Sequence, residues 1–485
     1  MLILDVLDAL LLTVLSFECF RILQSCSYKP QRGYFKIFAS VYFLVLIFTQ
    51  VLTVLCQFLW QRWCATVLFG IATAVSVFKK RKCPLKFTKR IVRMVVVQLV
   101  LIFVLCHYVG SCYFAMALPI IAVVSWLICL PVDGIIANYY IKKAVKKLSQ
   151  SGVTVVAITG SYGKTCTKDM LATLLNDCIA PSGSCNTPLG IAKFVNSTDL
   201  SPYKHLILEF GARNVGDIQK LCKLFQPICG IVTGICEQHL STFKTLGNIV
   251  KTKGELVENL PQNGFCVLNS NDSNTQSLSQ VGVCRKVLTD KSAIQNQQTT
   301  LQGTQFAVKH NGKLYQICLP QISNYIVDTF LMCFEMCNNL GQDVVSTVNN
   351  CQKVAQTPHR MQILHNGTFY IVDDAYNANI KGISNCCTTL SHFDNYKIVL
   401  TQGIVEGGKL QRTLNERCGQ MLGAHFDVAI AIGKYAKYII KGANNCNCKV
   451  VYAKNLAEGT RLLQRYTKPN CIVLFQNDLP DVVSL

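Results

Sequence analysis

Apolar residues are spread unevenly along this chain, and that unevenness limits its folding more than any single motif does. Stretches at roughly 3–24, 37–59, 63–78, 91–109 and 111–131 crowd the front of the sequence. A helix needs ~20 apolar residues to cross a hydrocarbon core, and most of these stretches are that long. The third is short and interrupted by Gly70, which suits a tilted or re-entrant piece. The first opens with Asp5 and Asp8 and has no basic leader, so a cleaved signal peptide fits poorly. The expectation is an α-helical transmembrane domain over 1–135 with about five spans, followed by a basic juxtamembrane linker at 136–152. The basic clusters KPQRGYFK (29–36), KKRKCPLKFTKR (79–90) and IKKAVKK (141–147) orient it, because such loops stay in the cytoplasm. Five spans then leave the amino terminus outside and everything after the linker on the cytoplasmic side of the plasma membrane.

Composition removes other options. Of 485 residues, 51% are hydrophobic and only 15% charged, too apolar for an ordinary soluble enzyme. The net charge of +21 is explained largely by the juxtamembrane clusters, which make a lipid bilayer the expected partner. No interleaving of aromatic and basic residues points to nucleic acid. The 26 cysteines show neither C-x-x-C pairs nor zinc-type spacing, which fits a reduced compartment better than a disulfide framework.

From about residue 150 the texture changes. Short β-branched runs, VTVVAIT (153–159), HLILEF (205–210) and CGIVTGI (229–235), alternate with helical patterns and predict a parallel α/β sheet. A second set, FYIVDDA (369–375), YKIVLTQG (396–403), DVAIAIG (427–433) and CIVLFQ (471–476), predicts a smaller α/β, Rossmann-like domain. A Gln- and Asn-rich region at 269–312 reads as an insertion of short strands. The boundaries fall at 153–355 for a central domain and 356–485 for a C-terminal one.

The chemistry gathers around TGSYGKTCTK (159–168). A strand ends, Gly160, Ser161 and Gly163 let backbone amides turn inward, and a helix begins with its positive end aimed at an anion. Lys164 is the candidate for the outer phosphates and the Thr165 hydroxyl for Mg²⁺, with Thr167 one residue beyond Cys166 on the same helix. Glu209, ending the next strand, is a candidate Mg²⁺ carboxylate, and His239, after the following strand, a candidate second-metal ligand.

These residues resemble the Mur ligase family, which makes peptide bonds in cell-wall precursors. TGSYGKTCTK looks like its ATP loop. LILEFGARNVGDI (206–218), QPICGIVTGICEQHLSTF (226–243) and KTKGELVENLPQNGFCVLNSND (251–272) continue the likeness in order. VDDAYNAN (372–379) is similar to the signature of the branch that adds D-Ala-D-Ala. The resemblance implies an α/β ATP-binding central domain closing against the C-terminal domain, with ATP and Mg²⁺ as cofactors. It implies phosphoryl transfer to a carboxylate and attack of an amine on the acyl phosphate. It also implies that Lys164, Glu209, His239 and Lys253 serve catalysis, Lys253 as a CO₂-derived carbamate that helps hold Mg²⁺. By the same resemblance Asn324, Arg360, Asp374, Tyr376, Asn377 and Asn379 bind the nucleotide, and Asn186 and Thr187 lie near the acceptor. A cell-wall precursor peptide and a D-amino-acid dipeptide become the expected substrates.

Several positions depart from the family pattern. Gly234 stands where Asn is usual, SNYIV keeps only Asn324 of the adenine-side motif, and Ile380 replaces a Pro. GIVEGGKLQ (403–411) replaces a Gly-Asp-Met-x-Glu-Leu-Gly segment, and FQNDLPD (475–481) a basic loop. The membrane stretches also occupy the place of the UDP-sugar-binding domain, which makes a lipid-linked acceptor a candidate. Two alternatives remain: a ligase with another acceptor or amine, such as a polyglutamate-forming one, or a catalytically reduced nucleotide-binding scaffold. A transporter energised by ATP is disfavoured by the lack of a second ATPase signature and of charged residues through the spans.

Overall fold

The structure, a computed structural model, describes residues 2–26, 28, 34–35, 67, 70–71, 85–108, 117–376 and 378–476. These form two compact units, one up to Tyr139 and one from Tyr140 onward.

The first unit is helical: α1 (Leu2–Leu15), α2 (Phe17–Ser25), α3 (Lys89–Tyr108) and the start of α4 (Leu118–Ser151). Leu12, Phe20, Ile91, Met94, Ile102 and Ala122 make its core. The first apolar stretch forms two helices rather than one, parted at Ser16, whose hydroxyl donates to the Thr13 carbonyl at 2.6 Å. Among the described residues two helices, α3 and α4, are long and apolar enough to cross a membrane. The second apolar stretch and most of the third lie outside the described residues. Charge inside this unit corrects the expectation that the stretches carry none. Asp5 and Asp8 are buried, Arg21 Nε donates to Glu18 Oε2 at 2.8 Å, and Asp133 pairs with Arg90 at 2.5 Å and with Arg93.

The second unit begins inside α4, so the basic segment at 141–147 is helical. Ala144 is buried there, Asn196 Nδ2 donates to the Tyr140 carbonyl at 2.8 Å, and Lys147 Nζ to that of Thr198 at 2.5 Å. The central sheet is parallel, in the order β2-β3-β1-β4-β5-β6. Its strands are β1 (Thr154–Thr159), β2 (Cys178–Ile179), β3 (His205–Glu209), β4 (Cys229–Val232), β5 (Phe265–Leu268) and β6 (Arg285–Leu288). β1 reads TVVAIT and is buried almost end to end, as a central parallel strand covered on both faces must be. The crossovers are α5 (Lys164–Leu174), α6 (Pro188–Ser197), α7 (Asp217–Phe225), the short α8 (Leu240–Phe243) and α9 (Leu246–Asn259). Because β1 lies between β3 and β4, the loops leaving these three strands emerge side by side at the carboxyl edge, where open α/β sheets bind ligands.

The polar insertion is an antiparallel sheet of β7 (Ile294–Thr300), β8 (Gly303–His310) and β9 (Lys313–Leu319). Phe306 of β8 packs edge-on against Phe330 of α10 (Tyr325–Asn339), closing the second face of the central sheet. The C-terminal sheet has the order β10-β11-β15-β12-β13-β14. It comprises β10 (Gln362–His365), β11 (Tyr370–Asp374), β12 (Lys397–Thr401), β13 (Val428–Ile432), β14 (Lys449–Ala453) and β15 (Ile472–Gln476), and only β10 is antiparallel to its neighbour. The helices α11 (Ile380–Leu390), α12 (Gln411–His425), α13 (Ala436–Ala443) and α14 (Leu456–Tyr466) alternate with its strands. α12 and α13 touch backbone to backbone. A Cβ at Gly419 would lie 2.0 Å from the Ile439 carbonyl, and one at Gly442 1.9 Å from that of Glu416. An α/β central domain followed by an α/β C-terminal domain is what the sequence predicted.

Candidate active site

The loop after β1 has almost no freedom. Gly163 caps α5 at φ 79°, a left-handed conformation, and a Cβ there would meet the Tyr325 ring at 2.7 Å. At Gly160 a Cβ would lie 2.1 Å from Thr233 Oγ1. Ser161 Oγ donates to the Cys236 carbonyl and accepts from its amide, both at 3.2 Å, which ties this loop to the turn after β4. Lys164 curls over its own loop, Nζ donating to the carbonyls of Gly160 at 2.8 Å and Ser161 at 3.3 Å. Burial lowers its pKa, and Glu209 opposes the shift. Its Nζ lies over the N-terminus of α5, the positive end of the helix and the end that favours anions. Thr167 is fully buried and donates to the Gly163 carbonyl at 2.9 Å, bracing the loop from behind.

Glu209 is 2% exposed, at the end of β3. Its Oε2 accepts from Thr165 Oγ1 at 3.0 Å and its Oε1 from Asn186 Nδ2 at 3.1 Å, so the phosphate loop and the acceptor-side loop meet at one carboxylate. Thr187, beside Asn186, caps α6 by accepting from the Gly190 amide at 3.2 Å. Lys253, 3% exposed on α9, has its pKa lowered to about 7, by burial first and by Lys164 next, against Glu209, Glu255 and Asp217. Among the described residues no three His, Cys, Asp or Glu side chains converge as a metal cage. The donors present, one carboxylate and one hydroxyl beside a phosphate loop, fit a hard cation that keeps water and phosphate oxygens as its other ligands, as Mg²⁺ does.

His239 is separate from that pair. It sits at φ 53° before α8, and its Nδ1 bonds Glu406 Oε2 from the loop after β12. Arg213 Nη1 reaches the other oxygen of Glu406 at 3.3 Å. Burial lowers the pKa of His239 although Glu406 opposes it, and the bond to His239 holds the Glu406 carboxyl down at about 2. The two side chains are thus joined through Nδ1, which leaves Nε2 as the ring nitrogen clear of the carboxylate.

Between the two α/β domains lies a cleft of ≈ 310 Å³ lined by Tyr162, Gly163, Asn324, Arg360, Asp374 and Asn379 among others. The Arg360 guanidinium lies 3.9 Å over the Tyr376 ring, held by flanking residues His359 and Met361 at φ 60° and 50°. Asp374 accepts from the Met361 amide and Cys386 Sγ, both at 3.3 Å, and burial raises its pKa to about 6. Asn379 caps α11 by accepting from the Gly382 amide at 2.9 Å, and Asn324, at the N-terminal boundary of α10 without a side-chain cap, donates its backbone amide to Thr389 Oγ1 at 3.1 Å. Asn377 lies outside the described residues.

The sequence reading missed several residues here. Tyr162 donates to Asp272 at 3.1 Å and lies 5.0 Å from the Tyr325 ring. The Tyr162 ring explains Gly234, since a Cβ at this position would sit 2.3 Å from it. Lys168 is fully buried, donating to the carbonyls of Pro181 at 2.7 Å and Gly183 at 2.6 Å. Lys381 lines the cleft from the first turn of α11. Only Glu406 left a signal, the anomaly of GIVEGGKLQ.

A glycine-rich strand–helix loop on a parallel sheet faces a second α/β domain across a cleft, and residues 158–339 match the Mur ligase middle domain, so this chain is similar to the Mur ligases. Among its curated relatives is the UDP-N-acetylmuramoyl-tripeptide–D-alanyl-D-alanine ligase of Escherichia coli K12, 25% identical over 301 residues, 59% of this chain and 66% of that one. The chain thus spans just under two thirds of that relative's length. Similar folds include MurF from Acinetobacter baumannii, with a TM-score of 0.65 and 20% identity over 70% of this chain and 77% of that one. Another is MurF ligase from Thermotoga maritima in complex with ADP, with a TM-score of 0.62 and 22% identity over 71% and 81%.

Proposed function

We propose that this chain is a membrane-anchored, ATP-dependent amide ligase of peptidoglycan precursor synthesis, joining D-Ala-D-Ala or a similar amine to a muramoyl-peptide carboxylate. The observation that carries this reading is the meeting of Lys164, Thr165, Glu209 and the near-neutral Lys253 at one sheet edge. That set suits transfer of the γ-phosphoryl group of ATP to a carboxylate, a reaction governed by positioning and charge neutralisation. Lys164 grips the outer phosphates. Thr165 and Glu209 would hold Mg²⁺, which neutralises phosphate charge when bound. A neutral Lys253 amine adds to CO₂ with loss of one proton, giving an anionic carbamate beside them. Asn186, bonded to Glu209, faces the carboxylate substrate. The amine then attacks the acyl carbon and phosphate leaves with both electrons of the C–O bond, while the cleft excludes water.

A lipid bilayer is the partner that suits the exposed apolar faces of α3 (Val92, Val96, Val100, Val104) and α4 (Ile120, Val124, Leu127, Ile128). The i, i+4 repeat on α3 makes that face a continuous stripe. Such a placement puts the ligase domains at the cytoplasmic surface of the plasma membrane. The test is phosphate release by the detergent-purified chain with ATP, Mg²⁺ and muramoyl peptides, free or lipid-linked, with and without D-Ala-D-Ala. Amine-dependent release is expected; ATP binding without any amine-dependent release would favour the scaffold instead.

A further inference from the structure

Two residues that carry a Cβ adopt the left-handed conformation and bond to each other between the two α/β domains. His239, at φ 53°, and Glu406, at φ 59°, are joined through Nδ1 and Oε2. Non-glycine residues rarely take this backbone, and where they do the surrounding structure must hold them there. Here it does so from both sides. Within the C-terminal domain, Gln411 accepts from the Gly407 amide at 2.8 Å, and Asn415 Nδ2 donates to the Ile404 carbonyl at 2.9 Å. From the central domain, the Ser241 amide donates to the Glu406 carbonyl at 3.2 Å. Gly408 lies so close that a Cβ there would be 3.1 Å from the Ser241 nitrogen.

The second arm is Arg213, which bonds the other oxygen of the same carboxylate at 3.3 Å. Arg213 follows β3 and His239 follows β4, and these strands flank β1, whose loop carries Lys164. One carboxylate of the C-terminal domain therefore grips both walls of the phosphate site. Its bond to Nδ1 also fixes which imidazole nitrogen stays available, as carboxylate partners of functional histidines do.

We propose that Glu406 is a positioning residue, a clasp that closes the C-terminal domain over the phosphate loop and orients His239 for the transfer step. It acts through His239 and Arg213 and touches no reacting atom. The catalytic arm of this inference rests on the ligase reading; the structural arm does not.

The test compares wild type with E406A, E406Q and E406D in the full-length chain, by hydrogen–deuterium exchange and by steady-state kinetics. E406A should raise amide exchange together in 236–243 and 403–411, and E406D should recover part of the protection. Displacing a positioned group by ~1 Å can cost ~10²-fold, so kcat should fall about that far in E406A while KM for ATP moves less than about threefold. E406Q keeps the shape and loses the charge, and should fall between. Unchanged exchange in both segments would overturn the clasp. Raised exchange with unchanged kcat would overturn the positioning role. If the wild type ligates none of the acceptors offered, the exchange arm still decides the clasp.

Discussion

Lys253 shows how burial selects a protonation state for chemistry. A solvated lysine is charged at neutral pH, and only the neutral amine adds to CO₂. With its pKa lowered to about 7, the amine is half neutral near physiological pH. Turnover that depends on the carbamate should therefore rise as pH rises through about 7, read as a rate–pH profile at fixed bicarbonate, and ¹³C-bicarbonate should give a carbamate signal that K253A lacks. A stability effect follows with a definite sign. Between about 7 and the ordinary value of 10.5 the unfolded lysine binds a proton that the folded one does not, so stability should rise with pH across that window and K253M should flatten it. Gly234 makes a second residue-scale case. It departs from the family pattern, and the Tyr162 ring fills the space a side chain would need. G234N should lose about 1–3 kcal/mol in denaturant unfolding, and Y162A added to it should restore part of that loss.

At the scale of elements, the strand–loop–helix around Lys164 was readable because each of its signals is local: a β-branched run, two glycines, then helical periodicity. Lys168 was not. In sequence it is one more lysine on a helix face, but the fold turns it inward to donate to the Pro181 and Gly183 carbonyls. K168M should cost about 1–3 kcal/mol in urea unfolding, since the buried Pro181 carbonyl is left without this donor. Glu406 left only the anomaly of its segment, because its partners stand on two loops 193 and 167 residues away in sequence. The division at Ser16 escaped because hydrophobic length alone does not register a side chain bonding back to its own helix.

Across the whole molecule, the order of the two α/β domains was readable from strand runs and their spacing, and the cleft between them now gathers Asn324, Arg360, Asp374 and Asn379 from separate elements. The proposed membrane attachment, drawn from the exposed apolar stripes of α3 and α4, predicts that the chain sediments with membranes, resists release by high salt and comes free in mild detergent. The central claim is that a substrate carboxylate is phosphorylated before an amine displaces phosphate. It is tested most directly with a muramoyl peptide whose acceptor carboxylate carries ¹⁸O. The account predicts that, with ATP and D-Ala-D-Ala, the released inorganic phosphate acquires one ¹⁸O per amide formed, and that K164A releases none. Phosphate released without the label, at a rate indifferent to peptide and amine, would contradict it.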